Sequence, residues 1–248
     1  MLPIPIGTNH PRRLFPFINL ALIAANVLIY LLSHRFTSDP TATTSLAKGW
    51  QHLMLDPRNP RLYQFITYQF LHENTSHILF NMLFLYVFGN NLEEKLSHLG
   101  YLAFYLAGGI LAGCGQMLAS NAPTLGASGA ISAVTGMFLV LLPRTNIRVL
   151  VWIFIYIDIW EIPSLYFILF SVGKDLLESL YWGGGTGQGS GTAYMAHLSG
   201  NLAGFTIGLL LLLTRLVQRD HYDLLAVFHR WQRRKAYEKD TQTGPKRV

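Results

Sequence analysis

The sequence predicts an all-α membrane protein that crosses the bilayer six times. The first observation is composition, because 51% of the 248 residues are hydrophobic and only 13% are charged, whereas soluble domains carry roughly 25% charged residues. The second is a set of six stretches with few or no charges, at 17–33, 77–91, 101–120, 128–142, 163–180 and 194–213. Several are shorter than the ~20 residues of a full span, so we expect some helices to be short, tilted or buried in a protein-lined cavity.

Positive charge orients these helices and divides the chain. Nine of the 19 Lys and Arg residues lie after position 214, which favours cytoplasmic termini at 1–16 and 218–248 around a membrane domain at 17–217. A basic tail of this kind suggests binding to nucleic acid only when the protein is soluble. Beside a span it indicates topology and attraction to anionic lipid, so the expected partner is the lipid bilayer and not nucleic acid. No cleavable signal peptide is recognised, and a bacterial inner (plasma) membrane is favoured.

Four segments outside the spans carry their own expectations. The loop at 34–76 is too apolar for a disordered linker, and we expect short amphipathic helices at the membrane interface. The segment at 146–159 has a partly alternating pattern with several β-branched residues. This pattern leaves its secondary structure open. The stretch at 182–192 is glycine-rich and predicted to be flexible, as a connector or as a mobile cap. The tail predicts one basic amphipathic helix at about 224–237.

A serine between glycines begins the fourth apolar stretch. Gly126, Ser128 and Gly129 follow a loop and precede an apolar run, which places Ser128 in the first turn of a helix, where backbone N–H groups are free to bind an anion. The position also suits an N-capping serine on a packed helix, and the short motif alone leaves both interpretations open. The nucleophile elbow of soluble hydrolases needs glycine where Ala130 stands, which disfavours that fold.

The sixth apolar stretch carries a histidine beside a glycine-lined face. Gly200, Gly204 and Gly208 recur every four residues, a spacing that lets a neighbouring helix approach closely. At roughly 100° per residue, His197 lies near the same face. If the neighbour is the helix of Ser128, a neutral imidazole accepts the serine proton as general base and later protonates the leaving amine. A hydrogen-bonded packing histidine is the alternative.

A third polar cluster lies on the second stretch. His77 and Asn81 are four residues apart and share a helix face, and their side chains offer N–H donors of the kind that stabilise an oxyanion. Zinc is the competing hypothesis, because His72, Glu73 and His77 resemble His-Glu-x-x-His. Five residues rather than four separate the two histidines, which turns them about 140° apart on a helix. We therefore expect no metal ion and no other cofactor.

Together these motifs resemble the rhomboid family of intramembrane serine proteases, over about residues 17–217. The three family patterns are His-x4-His-x3-Asn at His72, His77 and Asn81, Gly-x-Ser-Gly at Gly126, Ser128 and Gly129, and Ala-His-x-x-Gly-x-x-x-Gly at Ala196, His197, Gly200 and Gly204. The resemblance implies a six-helix rhomboid bundle in which Ser128 is the nucleophile and His197 the general base, in a dyad without a carboxylate. His77, Asn81 and the Ser128 N–H would stabilise the oxyanion.

The resemblance also implies a function and further residue roles. The protein would be a serine endopeptidase that cleaves the transmembrane helices of single-span membrane proteins. Glu93 would be structural, and Gln116 would help to keep water near the site. The aromatic residue that many members carry four residues after the nucleophile is Ser132 here. The competing functions are a non-catalytic relative that binds membrane helices, which typically lacks the serine or the histidine, and a transporter, which would show an inverted repeat.

Overall fold

The computed structural model describes residues 4–34, 46–153, 156–182 and 194–243. This part of the chain is mostly helical, with α1 (Phe17–Ser33), α2 (Gln64–Thr67), α3 (Thr75–Phe84), α4 (Asn90–Ala119), α5 (Ser128–Leu141), α6 (Ser164–Trp182), α7 (Tyr194–Leu213) and α8 (Leu224–Thr243). A π turn, Leu85–Gly89, joins α3 to α4. The predicted tail helix is present as α8 and is longer than expected. The glycine-rich stretch lies, from position 183 on, outside the described residues.

Among the described residues, two helical runs are long and apolar enough to cross a membrane. They are Thr75–Ala119, which includes α3 and α4, and Tyr194–Leu213, which is α7. The helices α1 and α5 are apolar but shorter, with 17 and 14 residues. The first loop contains short helices, namely α2 and the 3₁₀ turns Lys48–Leu53 and Tyr68–Phe70. The interfacial position expected for them stays a prediction.

The run Thr75–Ala119 turns back on itself at Ser97. This residue has φ of 64° and ψ of 171°, which are not helical angles. Asn19 donates to the Leu85 carbonyl at 2.9 Å and accepts from the Tyr101 hydroxyl at 2.6 Å. In a straight helix Leu85 and Tyr101 would be about 24 Å apart. Two antiparallel helices therefore meet at this break, where the sequence predicted the end of one span and the start of the next.

The helices α5 and α7 pack at backbone distance. A Cβ added to Gly200 would collide with the Gly129 carbonyl, and one added to Gly204 would collide with the Ala133 carbonyl. A Cβ at Gly208 would lie 3.1 Å from the side chain of Met137. The spacing of glycines every fourth residue predicted this close approach, and the structure identifies the partner as the helix that begins at Ser128.

A three-stranded antiparallel sheet corrects the prediction of an all-α fold. Its strands are β1 (Ile4–Thr8), β2 (Asn146–Ile153) and β3 (Tyr156–Pro163), in the order β1-β2-β3. Alternate β2 side chains are buried, namely Ile147, Val149 and Val151, whereas Ile157 and Ile159 of β3 are exposed. Period-2 burial of β-branched residues is typical of a strand with one face on a core. A helix would not have buried all three.

Glu93 fastens the start of α1 to α4. Its carboxylate is fully buried and accepts the N–H groups of Ile18 at 2.9 Å and Asn19 at 2.7 Å. It also contacts Nδ1 of His98. The first turn of α1 has no acidic residue of its own, so Glu93 supplies the acceptor that the free N–H groups of a helix start require.

Candidate active site

One cavity gathers the polar residues that the sequence singled out. It has a volume of about 790 Å³ and is bordered by α3, α5, α6 and α7. Four predicted site residues line it: Ser128, His197, His77 and Asn81. The other lining residues are Glu73, Asn74, Ser76, Phe80, Phe84, Leu125, Ile131, Ser132, Thr135, Ser171, Lys174, Asp175 and Asn201. Motifs from three distant parts of the chain therefore meet around one space.

Ser128 is the first residue of α5. The cap position belongs to Ala127, so the interpretation of Ser128 as an N-cap is wrong. The loop that leads to the serine is fixed because the Gly126 N–H donates to the Tyr68 carbonyl at 2.9 Å. Gly126 has φ of 127°, a conformation that glycine adopts without steric cost. Ser128 thus begins the helix where N–H groups have no intrahelical partner.

His197 enters the cavity from the first turn of α7, next to the serine. A Cβ at Gly129 would lie 3.7 Å from the Ala196 Cβ, and a Cβ at Gly200 would meet the Gly129 carbonyl. Gly129, the residue after Ser128, therefore lies against Ala196, directly before His197, and against Gly200, three residues after it. Gly129 and Gly200 support the site by letting the two helices approach, and Gly204 continues the contact one turn further on.

The His77 ring lies against the glycine that precedes the serine. A Cβ at Gly126 would be 2.9 Å from both Cε1 and Nε2 of His77 and 3.7 Å from Ser128 Oγ. The imidazole thus fills the space that a side chain at position 126 would occupy. Asn74 caps α3 and accepts the His77 N–H at 2.8 Å, which fixes the start of the helix that carries this ring.

Asn81 lines the cavity, and its side chain is held by His72, which does not line it. Its Nδ2 lies 3.0 Å from Nε2 of the fully buried His72. Burial and the neighbouring His77 lower the pKa of His72 to about 3, so the ring is neutral and its Nε2 can accept the amide proton. The other amide N–H of Asn81 is left for the cavity. Among the described residues, no three His, Cys, Asp or Glu side chains are placed to hold a metal ion.

Asp175 is a cavity residue that the sequence analysis missed. Its Oδ2 lies 3.2 Å from Nδ1 of His197, whereas the family resemblance implied a dyad without a carboxylate. The signal was present, because Lys174 and Asp175 interrupt the fifth apolar stretch, and ionisable residues at membrane depth usually serve a function.

Gln116 has a contact that differs from its expected role in holding water. Its side-chain Oε1 accepts the N–H of Ala196 at 3.1 Å, and the side chain is buried. Because Ala196 lies in the first turn of α7, Gln116 satisfies one of the free N–H groups at the helix start. It therefore anchors the turn that carries His197.

Comparison with known proteins identifies one family. A model of the Rhomboid domain matches residues 59–214. Rhomboid-like protein 11, chloroplastic, of Arabidopsis thaliana is 32% identical over 75% of this chain, which spans 62% of that protein. RHOMBOID-like protein 12, mitochondrial, of the same plant is 29% identical over 58% of the chain and 44% of its own length. Rhomboid protease GlpG of Haemophilus influenzae is 24% identical over 77% of the chain and 88% of its own length.

Proposed function

Because the chain belongs to the rhomboid family, we propose that it is an intramembrane serine endopeptidase. One observation carries the proposal: Ser128 and His197, the nucleophile and base that the motifs suggest, line the same cavity as the N–H donors His77 and Asn81. A nucleophile, a general base and oxyanion donors are the groups that acyl transfer requires. A protein that only binds helices needs none of these groups in one place.

In the proposed mechanism, Ser128 Oγ attacks the carbonyl carbon of a substrate peptide bond as His197 takes its proton. The tetrahedral oxyanion accepts hydrogen bonds from His77, from Asn81 and from the free N–H of Ser128. His197 then gives the proton to the leaving amine, which leaves an acyl ester on Ser128. Water attacks this ester with His197 again as base, and the serine is restored.

We further propose six spans with both termini on one side. The spans are α1, the two halves of Thr75–Ala119 that meet at Ser97, α5, α6 and α7. Three contacts support this count: the pairing of β1 with β2, the hydrogen bond from the Leu14 N–H to Glu94, and the ion pair of Lys95 with Asp220. With six spans, the chain crosses the membrane an even number of times between the two members of each pair. Both members of each pair therefore lie on the same side of the membrane. The basic tail makes that side the cytoplasm.

The short α5 suits hydrolysis inside a membrane. Its 14 residues span about 21 Å, less than the ~30 Å hydrocarbon core, and eleven of them are buried in the protein. Ser128 at its outer end would therefore lie below the membrane surface, in a polar cavity that water can enter. We propose single-span membrane proteins as substrates and a bacterial inner membrane as the location.

The test is labelling with a fluorophosphonate probe, together with cleavage of a generic single-span substrate by detergent-purified protein. We expect the wild type to label and cleave, and Ser128→Ala and His197→Ala to do neither. Ser132→Ala is the matched control, because Ser132 lies one turn further along α5 and lines the same cavity. It should label normally. A folded wild type that neither labels nor cleaves would favour a non-catalytic, helix-binding protein.

A further inference from the structure

The carboxylate of Asp175 is directed at the catalytic histidine. Asp175 lies on α6, and its side chain is only 9% exposed. Its Oδ2 is 3.2 Å from Nδ1 of His197, whose side chain is 16% exposed. A hydrogen bond at this atom leaves Nε2, on the opposite side of the ring, as the nitrogen that can face a proton donor.

The second carboxylate oxygen has a different partner. Oδ1 of Asp175 lies 3.4 Å from Nζ of Lys174, and that ammonium also pairs with Glu178 at 2.7 Å. The lysine is half exposed, whereas Asp175 is nearly enclosed. One oxygen is thus held by a cation at the edge of the cavity, and the other remains available to the imidazole. This fixes the orientation of the carboxylate.

A packing role alone does not explain an acid at this position. Burying a carboxylate costs free energy unless it is paired and hydrogen-bonded, and apolar residues of similar size usually pack at least as well. The cost is greater in a helix that crosses a membrane. Within the described residues no aromatic ring stacks on His197, and position 132, one turn after the serine, is itself a serine. Asp175 is therefore the described side chain that fixes the ring angle.

We propose that Asp175 is a positioning residue that converts the Ser128–His197 pair into a carboxylate-assisted triad. This inference rests on the proposed protease function. Asp175 accepts the Nδ1–H of His197, so that Nε2 carries the lone pair that removes the Ser128 proton. The imidazolium that forms keeps both protons and is stabilised by the ionised carboxylate, which is not itself protonated. The Nε2 proton then leaves with the amine product.

Charged and titratable side chains on two helices lie near His197. They are His77 on α3, which lies within electrostatic range, and Asp175 with Lys174 on α6. Loss of the carboxylate removes the only anion in direct contact with the ring among the described residues.

The experiment compares Asp175→Asn and Asp175→Glu with the control Glu178→Gln. Glu178 lies one turn away and pairs with the same lysine, and no described contact joins it to His197. We expect Asp175→Asn to lower kcat by about 10²- to 10⁴-fold, the upper value being that of a buried triad aspartate, with KM little changed. Asp175→Glu should recover part of this loss. Glu178→Gln should match the wild type within about 2-fold.

The first-order rate constant of fluorophosphonate labelling is measured beside cleavage, since it does not depend on how much protein is folded. It should fall with Asp175→Asn in parallel with kcat, and Asp175→Glu should restore part of it. Wild-type labelling rates in both Asp175 variants would overturn the positioning role while leaving the protease intact. A wild type that neither labels nor cleaves would instead overturn the proposed function itself.

Discussion

The Oε1 atom of Gln116 accepts a hydrogen bond from the backbone N–H of Ala196, the residue immediately before His197. This contact joins the last turn of α4 to the turn that carries the proposed base. Gly115, the residue before Gln116, lies against the Ser199 side chain. The helices α4 and α7 therefore pack closely at this level. The position of His197 therefore depends on a residue that never reaches the cavity.

Gln116→Ala should lower activity without removing the serine or the base. We expect a loss of about 1 kcal/mol in the free energy of unfolding, the usual effect of removing a hydrogen-bond partner, and about a 10-fold lower kcat from a less fixed His197. Leu118→Ala on the same helix is the control, because that side chain is 92% exposed. Equal kcat values for Gln116→Ala and the wild type would contradict the anchoring role.

Gly204→Ala should separate α5 from α7. The added methyl would collide with the Ala133 carbonyl. This carbonyl belongs to the backbone and cannot move aside as the end of a flexible side chain can. We expect the free energy of unfolding to fall by about 2 kcal/mol or more, as when a core is overpacked, and cleavage to be lost. Gly173→Ala on α6 is the control, since nothing lies within 4 Å of its added Cβ. It should be neutral or slightly stabilising, by ~0.5 kcal/mol, in thermal unfolding in detergent.

Glu93→Gln should destabilise the whole bundle rather than the site. The substitution weakens the acceptor for two N–H groups of α1 and alters the contact of the buried carboxylate with the partly exposed His98. We expect the free energy of unfolding to fall by about 2 kcal/mol, within the range for a buried hydrogen bond to a charged group, and kcat per folded molecule to stay unchanged. Glu94→Gln is the comparison, because Glu94 accepts the Arg13 and Leu14 N–H groups nearer the surface. Its effect should be smaller.

Asn81→Ala should lower kcat by about 10²–10³ with KM little changed, as for loss of one oxyanion donor. His72→Phe should have a smaller effect, because His72 acts by holding Asn81. The double variant should be no slower than Asn81→Ala alone, since the two residues act as one unit. Additive losses in kcat would mean that His72 contributes to the reaction by another route.

Stability should fall in acid through Asp220. Burial raises the pKa of this carboxyl, but hydrogen bonds from Lys95 and the Tyr222 N–H outweigh it, so its pKa is lowered in the folded protein. A lowered folded-state pKa gives stability that is present above the unfolded value, about 4, and is lost as pH falls through the folded value. Asp220→Asn should remove this part of the dependence, measured as thermal unfolding between about pH 3 and 6.

The polar motifs could be located from sequence because each is local and sits in an apolar background. His77 with Asn81, and His197 with the following glycines, have spacings that identify one helix face. The contact of Asp175 with His197 could not be predicted in the same way, because it depends on how α6 lies against α7. The angle between two helices is set by packing, which no local pattern records.

The sheet was missed for a similar reason. Val149 and its alternate neighbours carry a strand pattern, yet a strand requires a partner to pair its backbone groups. That partner is β1, about 140 residues earlier, where Pro5 and Gly7 weaken any strand signal. The break at Ser97, in contrast, falls between the apolar stretches at 77–91 and 101–120, so a turn in this gap could be predicted from the sequence although its exact residue could not.

The long separation of β1 from β2 sets an order of events during synthesis. The first strand leaves the ribosome with its edge unpaired, and its partner follows only after the five helices α1 to α5 have been made. At ~5–20 residues per second this interval lasts roughly 7 to 30 seconds. Until then the N-terminal strand is an exposed edge that another chain can pair with. The sheet can therefore close no earlier than the completion of the Ser128 helix, which directly precedes β2 in the chain.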